Sequence, residues 1–209
     1  MAPAFLLAAA PPGFWSGPDR LDRWLFVKIN SVWTNSLFDS VLPWWREANT
    51  WIPLYLFLLL FGILNFGKKV WLWLAFIVLT LVITDQVSSH IIKPLVGRIR
   101  PCNEPSLAGQ VRLLLGNCSG TYSFTSSHAA NHFGFAVFLV ITLQQVFGKW
   151  RRWLLVWAAS VSYAQVYVGI HYPLDVLGGA ILGIATGYLS ALFFNRRFGI
   201  LNLNPAESR

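Results

Sequence analysis

The chain has 209 residues, of which 56% are hydrophobic and only 11% are charged. Soluble domains carry about 25% charged residues, so this composition excludes an ordinary water-soluble monomer and predicts an integral membrane protein. The net charge is +8. Because so few side chains are charged in total, we interpret the basic excess as headgroup contact, topology control and binding of an anionic ligand, and not as a nucleic-acid interface.

Two segments precede the apolar part of the chain. Residues 1–18 hold a short apolar run without a positively charged start, so we expect a flexible leader. Residues 19–48 mix charged and aromatic residues at short intervals, which is typical of amphipathic helices that lie on a membrane surface. These residues therefore predict interfacial helices and not a transmembrane span.

Five apolar segments follow, each near the roughly 20 residues that a bilayer crossing requires. They cover residues 51–66, 70–92, 127–147, 153–169 and 174–194. The long polar gap between the second and third, residues 93–126, is rich in Pro, Gly, Ser and Asn and predicts a loop. The predicted fold is therefore all-α, a polytopic membrane helix bundle of about five transmembrane helices. Its functional domain covers residues 49–197, and residues 198–209 form a tail.

Basic residues predict which side of the membrane each connection faces. They form three clusters: Lys68 and Lys69; Lys149, Arg151 and Arg152; and Arg196 and Arg197. Five crossings place all three clusters on one side, which the positive-inside rule assigns to the cytoplasm. We therefore predict a multi-pass protein of the inner (plasma) membrane with a cytoplasmic C-terminus. The 93–126 loop and the 170–173 turn then face the outer or periplasmic side.

The two cysteines of the chain, Cys102 and Cys118, both lie in the predicted outer loop. A disulfide is favoured if that loop faces an oxidising compartment. Their spacing alone does not decide between a disulfide and two free thiols.

The outer loop begins with two cations that break the positive-inside rule. Lys93 closes the second span, and Arg100 follows seven residues later. Lysine binds phosphate as a point charge and arginine as a two-pronged donor, so the pair suits a phosphate group. The alternative is that both side chains snorkel to lipid headgroups.

The third span begins with a serine-rich turn. One of Thr125, Ser126 and Ser127 is expected to cap the helix, and a helix N-terminus offers free backbone N–H groups to an anion. His128 lies in the first turn, where a phosphate would sit. The alternative is plain capping, with His128 and His132 satisfied inside the bundle.

His171 and Asp175 mark the start of the fifth span. Asp175 could accept a hydrogen bond from one imidazole nitrogen, which would fix the tautomer and leave the other nitrogen free to attack. The alternative for Asp175 alone is helix capping. Combined with the two cations and the serine-rich helix start, the pair predicts phosphoryl transfer through a histidine.

These stretches resemble the three motifs of the type 2 phosphatidic acid phosphatase (PAP2) superfamily of membrane lipid phosphatases, K-x6-R-P, P-S-G-H and S-R-x5-H-x3-D. The matching residues are Lys93, Arg100 and Pro101; Thr125, Ser126, Ser127 and His128; and His171 and Asp175. The resemblance covers about residues 50–195. It implies a membrane phosphatase that works through a phosphohistidine intermediate.

The resemblance also implies a role for each matching residue. His171 would be the nucleophile, Asp175 its partner and His128 the general acid. No metal and no cofactor would be required. The phosphate ligands would be Lys93, Arg100, Ser126 and Ser127.

Two positions depart from the family pattern. Gln165 stands where the third motif has arginine, and Ser127 stands where the second motif has glycine. A glutamine amide can donate to a phosphate oxygen but brings no charge, so we keep Gln165 as a phosphate ligand. Arg98 or Arg112 from the loop could supply the missing charge.

Undecaprenyl diphosphate is the substrate that we predict first, because the short chain with five spans and an external site resembles small bacterial proteins of that activity. Phosphatidylglycerophosphate, phosphatidic acid and lipid A phosphates are the alternatives among lipid phosphates. A metal-dependent hydrolase that uses His128, His132, His171 and Asp175 as ligands is a different reading. A non-catalytic binder or transporter of anionic lipids is another, suggested by Gln165.

Overall fold

The computed structural model describes residues 16–199, and the regular structure in that range is entirely helical, as predicted. The helices are α1 (Ser16–Val27), α2 (Ser36–Trp45), α3 (Ile52–Phe66), α4 (Lys69–Gln86), α5 (Lys93–Val96), α6 (Ser127–Thr142), α7 (Gln144–Phe147), α8 (Trp153–Tyr167) and α9 (Pro173–Arg197). Helix α1 begins at Ser16, inside the predicted leader. The rest of that leader, residues 1–15, and residues 200–209 of the predicted tail lie outside the described residues.

The chain is a multi-pass membrane protein. Three stretches in the described range are each long and apolar enough to cross a bilayer: Ala48–Phe66, Lys69–Leu107 and Pro173–Arg197. The predicted third and fourth spans are helical where expected, but α6 has 16 residues and α8 has 15. Ser127–Thr142 and Gln144–Tyr167, bent by 71°, pass the same test only as a pair. The break between them falls at Leu143, which is the C-cap of α6. Gly148, with a positive φ of 47°, ends α7 inside the second stretch.

Helix α6 is the centre of the bundle and packs most closely against α9. Glycines on α9 allow this approach, because a Cβ at Gly183 would lie 2.2 Å from the Ala130 carbonyl oxygen. Gly179 faces Ser126, and Gly187 faces Gly134 further along, so the two helices run parallel. Small residues at close helix contacts are typical of membrane bundles. The parallel packing brings the N-termini of α6 and α9 to the same end.

The other end of the bundle is filled by aromatic and aliphatic side chains. Its buried members include Leu58, Phe66, Trp73, Phe138, Leu139 and Phe194. The rings of Phe66 and Trp73 meet at 75°, whereas those of Trp73 and Phe138 are tilted by 40°. The polar edge of Trp73 is satisfied, since its Nε1 donates to Thr142 Oγ1 at 3.1 Å.

The N-terminal helices α1 and α2 cover the loops at the polar end. Asn30, between them, donates from Nδ2 to the carbonyl oxygens of Arg112 (2.8 Å) and Tyr167 (2.7 Å). Large apolar side chains stay exposed on this layer, among them Leu21, Trp24, Trp33, Leu37 and Trp44. That residues 19–48 lie on the membrane surface stays a prediction.

Candidate active site

The predicted site residues come together at the polar end of the bundle. Lys93 Nζ lies 2.8 Å from Ser127 Oγ, and Arg100 Nη1 lies 3.1 Å from His171 Nε2. The ends of α4 and α8 and the starts of α6 and α9 meet here, because α4 runs antiparallel to α6. All three predicted motifs therefore form one site.

His171 is held by its Nδ1 edge and faces a cation with its Nε2 edge. Nδ1 lies 3.6 Å from Asp175 Oδ2 and 3.4 Å from Ser123 Oγ. The imidazole is only 2% exposed. Burial lowers the pKa of His171 to about 4, although the Asp175 carboxylate acts in the opposite direction. The ring is therefore neutral at pH 7, with Nδ1–H directed to Asp175 and Ser123 and a lone pair on Nε2.

Asp175 caps the start of α9 and also lies beside His171, so the two predicted roles of this residue are compatible. Its Oδ2 accepts a hydrogen bond from the Tyr172 backbone N–H at 2.8 Å and a very short one from Ser123 Oγ. Its Oδ1 accepts from Arg98 Nη1 at 2.8 Å. These fixed donors hold the carboxylate in one orientation beneath the imidazole.

Arg98 joins the carboxylate of Asp175 to the N-terminal helix. Its Nη2 donates to Asp22 Oδ2 at 2.6 Å and to Asp19 Oδ1 at 3.1 Å. The guanidinium also lies 4.0 Å from the ring centroid of Tyr172. Asp22 in turn accepts from the Leu174 N–H, which ties α1 to the start of α9.

Neither Arg98 nor Arg112 has its guanidinium free to replace the missing arginine. Arg98 is committed to three carboxylates, as described above. Arg112 donates to Asp39 Oδ2 at 2.7 Å and to the Asn30 carbonyl oxygen at 3.0 Å. Both guanidinium groups are therefore already used by acidic or carbonyl partners.

The two serines of the second motif do different things. Ser126 is the N-cap of α6, is fully buried and gives its backbone N–H to the Asp175 carbonyl oxygen at 2.9 Å. Ser127 faces Lys93, and its hydroxyl also lies 3.0 Å from the hydroxyls of Ser88 and Ser89. The polar groups around the cation are thus supplied by Ser127 and by the π-helical turn that follows α4.

His128 is half-buried and lines a cavity beside the site. It lies close enough to His171, Lys93 and Arg46 to interact with them electrostatically. His132 is one turn deeper, and its Nδ1 donates to the His128 carbonyl oxygen at 2.8 Å. His132 Nε2 is buried without a hydrogen-bond partner in the described residues.

Arg100 is anchored by the surrounding backbone. Its Nε donates to the Thr121 carbonyl oxygen at 2.9 Å, and Nη1 donates to the Ile170 carbonyl oxygen at 3.1 Å. Lys93 and Arg100 are 8% and 6% exposed. Such burial does not fit side chains that snorkel freely to headgroups, which was the alternative for this pair.

Gln165 is fully buried on α8 and is bound by a cation that the sequence analysis did not single out. Arg46, at the end of α2, donates from Nε to Gln165 Oε1 at 3.1 Å. Gln165 Nε2 is buried without a partner among residues 16–199. Gln165 thus lies where an arginine from another part of the chain reaches the site.

A cavity of about 460 Å³ opens beside the site between α3, α4, α6 and α8. Its polar end is formed by Asp85, Ser127 and His128. Its apolar walls include Tyr55, Leu58, Ile77, Leu81, Phe135 and Trp157. Asp85 is half-buried and faces this cavity. The cavity therefore joins polar groups of the site to a wall that suits a hydrocarbon chain.

The metal-ligand set of the alternative reading does not assemble. Within residues 16–199, no three side chains of His, Cys, Asp or Glu are arranged to hold a metal ion. His171 and Asp175 pair with each other and with arginines, whose charges would repel a metal cation.

Cys102 and Cys118 form a disulfide with a Cα–Cα distance of 6.0 Å. The bond closes residues 102–118, and Arg100 and Thr121 lie on the two flanks of this closed loop. This result decides the question that the spacing of the cysteines left open.

Sequence reasoning missed three contributors to the site. Ser123 lies between His171 and Asp175, and Asp22 and Arg46 reach the site from the N-terminal helices. Neither Ser123 nor Asp22 belongs to a sequence motif that would mark it as part of the site. The one available signal for Arg46 was a lone cation in an aromatic stretch, Trp44-Trp45-Arg46-Glu47.

Comparisons with known proteins agree with this geometry. A family model described as the PAP2 superfamily matches residues 70–198. A lipid A 4'-phosphatase from Bacteroides thetaiotaomicron is 39% identical over 175 residues, which cover 81% of this chain and 75% of that protein. An undecaprenyl-diphosphatase from Sulfolobus acidocaldarius is 33% identical over 176 residues, 82% of this chain and 76% of that one.

The fold also matches a solved structure. The crystal structure of a PAP2-type phosphatidylglycerolphosphate phosphatase from Bacillus subtilis superposes with a TM-score of 0.65 at 19% identity, covering 87% of this chain and 89% of the other. At that identity the match supports the fold alone. Together with the family model and the two relatives, it leads to one conclusion: the chain belongs to the PAP2 superfamily and is a membrane lipid phosphatase.

Proposed function

We propose that the protein removes a phosphate group from a lipid A-type glycolipid through a phosphohistidine formed at His171. One observation carries the chemical part of this proposal. The buried, neutral imidazole presents Nε2 to Arg100 and Nδ1 to the Asp175 carboxylate. This is the arrangement that a histidine nucleophile needs, because the attacking nitrogen lies beside the cation that would hold the phosphate.

The proposed reaction has two steps. His171 Nε2 attacks phosphorus, the bond to the lipid oxygen breaks, and His128 gives its proton to the leaving oxygen. Water then attacks the phosphohistidine, His128 takes a proton from that water, and the P–N bond breaks to release inorganic phosphate. Asp175 and Ser123 stabilise the imidazolium that forms while the phosphoryl group is attached.

The proposed phosphate ligands are the cations and donors that surround the nucleophile. Lys93 and Arg100 supply the positive charges that the phosphoryl oxygens require in the transition state. Ser127, held by Lys93, supplies a hydroxyl. Ser126 and Gln165 were also predicted as ligands, and both stay predictions, because the Ser126 hydroxyl caps α6 and the Gln165 oxygen accepts from Arg46.

The relatives favour a lipid A phosphate over the substrate that we predicted first. The relative named lipid A 4'-phosphatase is 39% identical to this chain, whereas the undecaprenyl-diphosphatase is 33% identical. The apolar walls of the 460 Å³ cavity would accept an acyl chain of such a lipid. Undecaprenyl diphosphate is the second candidate, supported by the second relative.

We further propose that the site faces the outer or periplasmic side of the plasma membrane and that the C-terminus is cytoplasmic. Lys69 Nζ lies 3.0 Å from the Gly199 carbonyl oxygen, so basic residues of the first and third clusters share the end opposite the site. That end is the one the positive-inside rule assigns to the cytoplasm. The Cys102–Cys118 disulfide also supports an oxidising compartment for the loop at the site.

The test is phosphate release by the purified protein from a panel of lipids, with His171→Ala measured beside the wild type. We expect the wild type to act faster on a lipid A bearing a 4'-phosphate than on undecaprenyl diphosphate, and His171→Ala to be inactive on both. The matched control is His90→Ala, which removes an exposed histidine from the turn after α4. Full activity of His171→Ala would overturn the proposed chemistry, and a preference for undecaprenyl diphosphate would overturn the proposed substrate.

A further inference from the structure

We propose that Arg46 binds the transferred phosphoryl group and supplies the charge that the third motif lacks at Gln165. This inference rests on the function proposed above and adds a residue to its phosphate site. Arg46 belongs to the N-terminal helix layer, outside residues 70–198, which the family model matches. The phosphate site would then be completed by a part of the chain that carries no motif.

The position of Arg46 is the first argument. The residue is 8% exposed, although it ends a short helix in a layer rich in exposed apolar side chains. Its Nε donates to Gln165 Oε1, so its guanidinium lies against the side chain that replaces the motif arginine. A buried guanidinium needs anionic or strongly polar partners, because removing its charge from water is costly.

The electrostatic surroundings are the second argument. Arg46 is close enough for its charge to act on both Arg100 and His128, which are the proposed phosphate ligand and general acid. Like charges placed together repel one another unless an anion lies between them. A phosphate dianion held by Lys93, Arg100 and Arg46 would relieve that repulsion.

The hydrogen bonds of the guanidinium leave it able to bind an anion. Nε is used by Gln165, and Nη1 pairs with the Glu47 carboxylate, whose side chain is 47% exposed. Nη2 has no hydrogen-bond partner among the described residues. Because the Glu47 carboxylate is partly exposed and can turn to water, an incoming phosphate can compete with Glu47 for Nη1.

Gln165 is then a positioning residue and not a substitute for the arginine. Its Oε1 orients Arg46, and its buried Nε2 has no partner in the described residues. An unpaired buried amide donor is unfavourable in the free protein. A phosphoryl oxygen within reach of Nε2 would accept its hydrogen bond, so this donor would be satisfied only when the anion is bound.

The experiment exchanges the two side chains. Arg46→Gln, Gln165→Arg and the double exchange are purified, and kcat/KM for lipid phosphate hydrolysis and the inhibition constant of orthovanadate are measured. Loss of a charge-assisted hydrogen bond predicts a fall in kcat/KM of roughly 10- to 100-fold for Arg46→Gln, with weaker vanadate inhibition. We expect the double exchange to recover most of both losses, because it restores an arginine at the motif position.

The matched control is Arg112→Ala, which frees Asp39 of α2 and so loosens the same helix away from the site. Its vanadate inhibition should equal that of the wild type. Arg46→Lys keeps the charge but not the two-pronged geometry of the guanidinium, so its kcat/KM and its vanadate inhibition should lie between those of the wild type and Arg46→Gln. Such an intermediate result would separate loss of charge from a folding defect.

The inference is overturned if Arg46→Gln leaves vanadate inhibition unchanged, if Arg112→Ala weakens it as much, or if the double exchange recovers nothing. An inactive His171→Ala beside an unaffected Arg46→Gln would reject the role of Arg46 alone. An active His171→Ala would instead reject the proposed reaction.

Discussion

The two ends of the bundle are held together by different forces. At the end with the basic clusters, rings of Phe66, Trp73, Phe138 and Phe194 pack at centroid distances between 5.6 and 6.5 Å. At the site end, charged groups meet at 2.6–3.1 Å, as in the contacts of Arg98. The aromatic end is stabilised by the complementary shapes of its rings, and the site end by directional hydrogen bonds between charged groups.

This difference separates stability from chemistry. Packing tolerates substitutions of similar volume, whereas a hydrogen-bonded carboxylate or guanidinium has few acceptable replacements. Changes at the site end should therefore reduce turnover, and changes at the aromatic end should reduce stability while turnover survives. The predictions that follow challenge this division, in order of the expected loss of activity.

Asp175→Asn should cause the largest loss, roughly 10³-fold in kcat or more. The amide keeps the shape of the side chain but loses the charge that stabilises the imidazolium and fixes the tautomer. Initial rates of phosphate release measure the effect. Asp22→Asn is the control, because Asp22 also binds Arg98 but does not contact His171. Equal losses in both variants would mean that Arg98, and not His171, explains the effect.

Gly183→Ala should reduce activity by roughly 10-fold or more by moving α6 away from α9, since a 1 Å misplacement can cost about 10²-fold. Its Cβ would approach the Ala130 carbonyl oxygen to 2.2 Å, and both helices would shift near His128. The control is Gly116→Ala, because a Cβ at Gly116 meets nothing within 4 Å. Turnover and melting temperature are measured for both. Wild-type turnover in Gly183→Ala would contradict the role of this contact in aligning the site.

The titration of His171 should follow its buried position. With a pKa of about 4, the imidazole stays neutral at pH 5, where a histidine with the ordinary value of about 6.5 would be almost fully charged. As the pH falls, the unfolded chain protonates His171 at a higher pH than the folded protein does. The contribution of the neutral, buried imidazole to the free energy of unfolding is therefore complete above pH 6.5. It is lost as the pH falls toward 4. Histidine-selective NMR of the protein in detergent measures this pKa, and a value near 6.5 would contradict the burial.

Phe194→Ala tests the aromatic end. The side chain is fully buried against Phe76 and Phe138, so its truncation leaves a cavity that costs roughly 3–5 kcal/mol of unfolding free energy. The melting temperature should drop, and kcat at a temperature well below the transition should stay close to that of the wild type. A large loss of kcat in the folded variant would contradict the division between the two ends.

Cys102→Ser should have the smallest effect on turnover. Loss of the disulfide opens a loop whose two cysteines are 16 residues apart in the sequence. The free energy of unfolding should fall by about 3 kcal/mol, because the unfolded chain regains loop-closure entropy. The double variant with Cys118→Ser should be no less stable than either single variant, because each removes the same bond. Additive losses would show that the cysteines act separately.

The sequence predicted the fold and most of the site because both leave local patterns. Apolar runs predicted the helices, and the spacing of Lys93, Arg100, His128, His171 and Asp175 predicted which side chains meet at the polar end of the bundle. Arg46 and Asp22 were missed because their roles depend on how α1 and α2 fold back over the loops, more than 100 residues from their partners in α8 and α9. The same cause made Arg98 look available from the sequence, since its carboxylate partners come from α1 and α9.

The most direct test of the proposed chemistry is to trap the covalent intermediate. The protein is mixed with a lipid phosphate labelled at phosphorus, quenched at alkaline pH within milliseconds at low temperature, and digested for mass spectrometry. We predict a phosphoryl group on His171 that is lost on acid treatment and is absent from His171→Ala. Rapid turnover without any labelled histidine, or a label on another residue, would contradict nucleophilic attack by His171.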